Sequence, residues 1–264
     1  MTTPLDIQPG TAPAPSRDGG TPATPAHTGS RRSRVLGIVL VPALALWAFL
    51  GLVGTPPDLV QGESQRLFYV HVPVVTTAYL ACLLAGVSSA LYLWKRTQFW
   101  DLLASSAVEV AVPFTLATLV SGSIWGGASW GDYWVWDARI TSTALLFLVQ
   151  LGYLAVRRVP SDRTARARRS AILGLLLVPN MIIINQSVNW WNSVHQPATM
   201  LAPAIKQDSI GGLMYFAATY SVVVNALVFA WLVLHRFRVA YLEDQVEDLG
   251  LEQALTERRQ EAGR

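Results

Sequence analysis

Six apolar stretches, each able to cross a bilayer as a helix, constrain this chain more than any other feature. They run approximately 35–54, 72–94, 102–124, 140–156, 170–188 and 210–234. A helix needs about 20 mostly apolar residues to span roughly 30 Å of hydrocarbon, and each stretch comes within a few residues of that. Pro42, Pro73, Pro113 and Pro179 fall inside them, which membrane helices tolerate better than soluble ones. Only 14% of the chain is charged, against about a quarter in a soluble domain. Charges are costly in lipid, so the deficit fits several buried spans. The expected fold is an all-α integral membrane protein with six transmembrane helices.

Charge sets the expected orientation. Arg17, Arg31, Arg32 and Arg34 precede the first span, and Lys95 and Arg96 follow the second. Arg157, Arg158, Arg163, Arg166, Arg168 and Arg169 separate the fourth and fifth; Arg236, Arg238, Arg258, Arg259 and Arg264 follow the sixth. Seventeen of the twenty Lys and Arg residues thus lie on one side, leaving Arg66, Arg139 and Lys206 on the other. The positive-inside rule makes the crowded side cytoplasmic, with both termini inside. A pI near 9.2 raises nucleic acid as a partner, but arginines distributed this way are topology signals. Residues 1–33, rich in Pro, Thr, Ala and Gly, read as a disordered cytoplasmic tail in which His27 is inert. Residues 34–236 form the transmembrane domain, and 237–264 read as a cytoplasmic surface helix. Cys82 is the only cysteine, which excludes an intramolecular disulfide, a Cys-x-x-Cys redox pair and a Cys-x-x-Cys-His haem attachment site.

Three loops then face outward, at about 55–71, 125–139 and 189–209. The second carries Trp125, Trp130, Trp134 and Trp136 with Asp137 and Arg139; the third carries Trp190, Trp191 and His195; the first carries Arg66 and His71. Tryptophan is enriched at membrane interfaces, but here six of the ten sit in two loops, more than a belt requires. If 125–136 is a short helix, Trp130 and Trp134 share a face and can grip or stack on a planar apolar ligand. A lone histidine is more often a hydrogen-bonded packing residue than a ligand. Two on one face, flanking a tryptophan-rich loop, point to axial ligation of haem iron. Zinc is a weaker candidate, because no third or fourth ligand stands at suitable spacing. Arg66 or Arg139 suits a haem propionate, and for Arg139 a local ion pair with Asp137 or Asp132 is an equal reading. Asp137 alternatively holds the loop by accepting backbone or indole hydrogen bonds. Glu109 lies roughly two turns inside the third span; it is either functional or an interhelical partner, and no role is assigned to it.

The run from Trp125 to Thr141 resembles the tryptophan-rich "WWD" signature of haem-handling proteins. With Tyr69-Val-His71-Val-Pro73 and Trp190-Trp191-Asn192-Ser-Val-His195-Gln196, the chain is similar over about residues 35–235 to the CcmC family of cytochrome c maturation. That resemblance implies haem b as a transient cargo, His71 and His195 as its axial ligands, and a signature loop that supports the ring. It also implies delivery to the membrane-anchored chaperone CcmE, with the CcmA–CcmB ATP-binding transporter and the small protein CcmD as associated partners in the cytoplasmic (inner) membrane. The expected role is haem delivery and not enzymatic catalysis. A haem lyase is disfavoured because related lyases have histidines within the membrane, whereas His235 falls at the cytoplasmic end of the sixth span. A permease subunit of a haem exporter is disfavoured because the candidate ligands lie on one face only. No Walker-type phosphate loop is present, so any ATPase is another chain.

Overall fold

Each apolar stretch is the middle of a helix that runs further at one or both ends than apolarity alone predicts. In the computed structural model, which describes residues 30–160, 162–195 and 212–263, α1 spans Arg31–Phe49 and is prolonged to Gly54 by a π-type turn. The others are α2 (Phe68–Lys95), α3 (Gln98–Trp130), α4 (Ala138–Arg158), α5 (Arg163–Trp190) and α6 (Gly212–Ala262). All six are long and apolar enough to cross a membrane, and the protein is a multi-pass membrane protein. The tail with His27, and the part of the third loop that holds Gln196, Pro197 and Lys206, lie outside the described residues.

Local chemistry marks the helix starts. The side chains of Ser30, Asp137 and Asp162 accept the N–H groups of Ser33, Ile140 and Ala165, three residues on, which satisfies donors that a helix start leaves open. Between α2 and α3 the chain reverses in two residues. Arg96 adopts a left-handed conformation (φ 56°) and its N–H closes on the Tyr92 carbonyl at 2.8 Å. The helices alternate in direction, so α1 begins and α6 ends at the arginine-rich end. The opposite end holds the connections that carry the candidate site.

α2 is central, packing on α3, α5 and α6. The core it shares with α3, α4 and α5 is built largely from small side chains, including Ala81, Cys82, Ala85, Ala107 and Ala111. Small residues let helix backbones approach where lipid supplies no hydrophobic drive for association. The α2–α5 contact is the tightest case. A Cβ at Gly174 would lie 2.1 Å from Ser89 Oγ and 3.0 Å from Ser89 Cβ, and one at Gly86 would lie 2.4 Å from Val178 Cγ2. Gly174→Ala is therefore expected to destabilise the bundle by about 1–3 kcal/mol through overpacking. Adding Ser89→Gly should recover part of that. Circular-dichroism melts in detergent measure both; a Gly174→Ala midpoint equal to the parent's would show that the helices separate freely.

Two ion pairs join α3 to its neighbours. Glu109 of α3 meets the Arg236 guanidinium of α6, through Nε and through Nη2 at 3.0 Å. The carboxylate of uncertain role in the third span is thus an interhelical ion pair. Asp101 of α3 and Arg157 of α4 form a two-point pair at 2.6 and 3.0 Å. The segment expected as a surface helix after the sixth span is helical to Ala262 and is continuous with α6. No proline and no glycine stands between His235 and Leu249, and Arg163 of α5 holds the extension by Asp248 at 2.8 Å and Asp244 at 3.4 Å.

Candidate functional site

The tryptophan signature is not one loop. Trp125 and Trp130 belong to the last turns of α3, and the connection proper is Gly131–Asp137. α3 runs through Gly126-Gly127 because the connection folds back onto that bare shoulder. A Cβ at Gly127 would stand 2.6 Å from Tyr133 Cε1, and one at Gly126 would stand 3.1 Å from the Asp132 carbonyl. Gly131 then ends the helix at φ 85°, with its N–H on the Gly127 carbonyl at 3.2 Å, a left-handed cap that glycine adopts without strain. Trp134 lies in the extended connection, so it does not share a helix face with Trp130.

The helix ends enclose a cavity of about 570 Å³. His71, Trp125, Trp130, Trp134, Arg139 and His195 line it, together with apolar side chains of α2, α3 and α6. Four other candidates stand apart. Arg66 pairs with Glu63, three residues away, and does not line the cavity. Trp136 is 79% exposed, packing edge-on against Trp134; Trp190 and Trp191 pack on each other and are 56% and 52% exposed. Asp137 reaches the cavity through its contact with His195.

Each histidine is held from behind by its Nδ1. On α2, His71 Nδ1 lies 3.0 Å from Ser121 Oγ of α3. The single Ser121 hydroxyl proton is directed to the Ala117 carbonyl at 2.6 Å, so toward His71 the hydroxyl accepts. The ring then carries its proton on Nδ1 and its lone pair on Nε2. Trp125 approaches the same ring edge-on, 5.7 Å between centroids, and its indole N–H donates to the Gln61 side chain at 3.1 Å.

His195 follows the same plan with a stronger acceptor. Its Nδ1 lies 2.6 Å from Asp137 Oδ2, which also accepts the Ser193 hydroxyl at 2.5 Å. Asp137 Oδ1 meanwhile caps α4 by accepting the Ile140 N–H at 2.9 Å. Burial pushes His195 below the ordinary imidazole range, with Arg139 adding to the effect and Asp137 opposing it. Burial would raise Asp137, but the Ile140 N–H, the Ser193 hydroxyl and the His195 ring together hold the carboxyl below its usual range. At neutral pH the pair is therefore a neutral imidazole donating Nδ1–H to a carboxylate, again with the lone pair on Nε2. Trp130 packs edge-on against this ring at 4.9 Å.

Arg139 lines the cavity from the first turn of α4, with Nη2 3.5 Å from the Asn185 carbonyl. Two imidazole lone pairs and one guanidinium, on a mostly apolar wall that also carries Gln61, Asn185 and several hydroxyls, suit a ligand that is flat and greasy, carries a metal ion, and has an anionic edge. Among the described residues, no three His, Cys, Asp or Glu side chains converge as a metal site. Gln61, Ser121, Gly122 and Ser193 are further parts of this arrangement. Ser193 falls inside the Trp190–Gln196 motif, and Gln61 follows a turn in which the Asp58 side chain accepts the Val60 and Gln61 N–H groups at 2.8 Å; neither signal says where the residue points.

A family model described as Heme exporter protein C matches residues 20–251. A protein of that name from Bradyrhizobium diazoefficiens is 34% identical over 206 residues, covering 75% of this chain and 75% of the relative. Its namesake from Haemophilus influenzae is 33% identical over 215 residues, covering 80% and 84%. The Escherichia coli K12 protein of the same name is 34% identical over 203 residues, covering 77% and 81%. Since the family model matches most of its length, the chain belongs to the Heme exporter protein C (CcmC) family.

Proposed function

We propose that this protein holds haem for cytochrome c maturation, with His71 and His195 as the two axial ligands, and passes it to the chaperone CcmE. The names of its relatives place haem handling in the family. The observation that carries the finer reading is the matched state of the two rings. Both line one cavity, both have Nδ1 committed to an acceptor, and both are left with Nε2 as the donor atom. Two nitrogen donors suit an iron whose other four positions are filled by a macrocycle. Trp125, Trp130 and Trp134 supply apolar wall against the porphyrin, and Arg139 is the cation within reach of a propionate. In this reading the arginine-rich end is cytoplasmic, and the cavity opens at the outer face of the inner membrane, the side that also carries the exposed Trp136, Trp190 and Trp191. The partner ATP-binding transporter, CcmA–CcmB, and CcmD belong to the same proposal.

The test is the absorption spectrum of the purified protein. The wild type should carry a low-spin haem with two histidine ligands, and both His71→Ala and His195→Ala should lose that signature, with haem content falling about tenfold or more in the double variant (each 1.4 kcal/mol being tenfold). An unchanged low-spin spectrum in either single variant would remove that residue from the ligand set.

A further inference from the structure

We propose that Asp137 makes the two ligands unequal, so that His195 is the retained ligand and His71 is the one that leaves first, freeing one face of the ring. This rests on the reading above, in which both imidazoles bind the iron. Each ring lines the same cavity, and each meets one tryptophan edge-on. They differ in what stands behind Nδ1.

Behind His195 is a carboxylate at 2.6 Å; behind His71 is a neutral hydroxyl at 3.0 Å. An imidazole whose N–H donates to a carboxylate is fixed in one tautomer and becomes more basic at its other nitrogen, hence a stronger metal ligand. A charge-assisted hydrogen bond is also shorter and roughly twice as strong as a neutral one. The Ile140 N–H and the Ser193 hydroxyl share the Asp137 carboxylate, which tempers this effect but removes none of its charge.

Backbone context argues the other way, because His71 sits in a helix and His195 in a connection. The same carboxylate answers that objection. Asp137 binds the Ser193 hydroxyl, and Ser193 Oγ accepts the His195 backbone N–H at 3.1 Å. The His195 segment is thereby tied to the α4 cap through both its ring and its backbone. Asp137 is accordingly a positioning residue that acts through His195.

Two measurements on the full-length, haem-loaded protein in detergent test this. The first compares His71→Gly with His195→Gly for haem content, with and without added imidazole. We expect His71→Gly to keep haem on His195 and to regain a two-nitrogen spectrum with imidazole. His195→Gly should retain at least tenfold less haem. The second uses Asp137→Asn, which keeps an oxygen to cap α4 but turns a donor or a doubly claimed oxygen toward His195. Haem content should fall at least tenfold with the thermal midpoint unchanged, and any haem retained should show a higher midpoint potential. Asp137→Ser, which caps well and lacks the carboxylate, is read in the same way should the asparagine variant not fold. Equal haem loss from the two glycine variants, or wild-type haem content and potential in a folded Asp137 variant, overturns the inference. A wild-type protein with no two-histidine spectrum would instead overturn the functional reading itself.

Discussion

Arg157→Leu is expected to lower the stability of the bundle by about 3–5 kcal/mol, the usual consequence of stranding one member of a buried ion pair. Asp101 is 2% exposed and its carboxylate is met at both oxygens, by Nη1 at 2.6 Å and Nη2 at 3.0 Å. Removing the guanidinium takes away both of these donors and leaves the buried carboxylate without its counter-charge. The reverse change, Asp101→Leu, should cost less, since a long arginine near a helix end can carry its charge out to the headgroups. Asp101→Leu combined with Arg157→Leu should recover most of the loss, because an apolar pair of similar volume often replaces a buried ion pair without penalty. A double-mutant cycle of melting midpoints in detergent measures the coupling. Additive effects of the two single changes would show that the pair is not acting as a unit.

Gly122→Leu is expected to reduce haem content at least tenfold while leaving the fold intact. Gly122 lines the cavity, and a Cβ placed there would sit 3.0 Å from His71 Cε1 and 3.5 Å from its Nδ1. The added isobutyl group must displace the imidazole from Ser121 or occupy the cavity. Gly122→Ala requires a shift of only a few tenths of an ångström and should give an intermediate loss. Stability moves the other way, because replacing glycine within a helix favours the helix by up to about 1 kcal/mol. Haem per protein from a pyridine haemochrome assay, read beside the melting midpoint, separates the two effects. Wild-type haem content in the leucine variant would show that the ring and the cavity tolerate the added volume, contrary to this account.

Part of the candidate site was legible before any coordinates. His71 and His195 stand out because histidine is rare at the ends of apolar segments, and the tryptophans stand out by density. What surrounds them was not legible. Ser121 is an ordinary serine in an apolar helix until it is found 50 residues away from its partner His71 and 3.0 Å from its ring. Asp137 looked like a loop-fixing residue or a partner for Arg139. It caps α4, as a loop-fixing reading suggests, and with its second oxygen it also holds a histidine 58 residues further on. Arg66 and Arg139 were equivalent as cations; the packing puts one beside Glu63 and the other on the cavity wall.

The sequence by itself determined the number and order of the six spans, and the segregation of its positive charges. Those properties follow from a local quantity, hydropathy summed over about 20 residues, set against a bilayer of given thickness. Tertiary structure alone decided which side chains face one another. It decided that Glu109 meets Arg236 across 127 residues of chain, that α6 runs on to Ala262, and that two histidines share a cavity with a carboxylate behind one and a hydroxyl behind the other. Such pairings depend on how closely small residues let the helices approach and on where each helix ends, and no window along the chain contains that information.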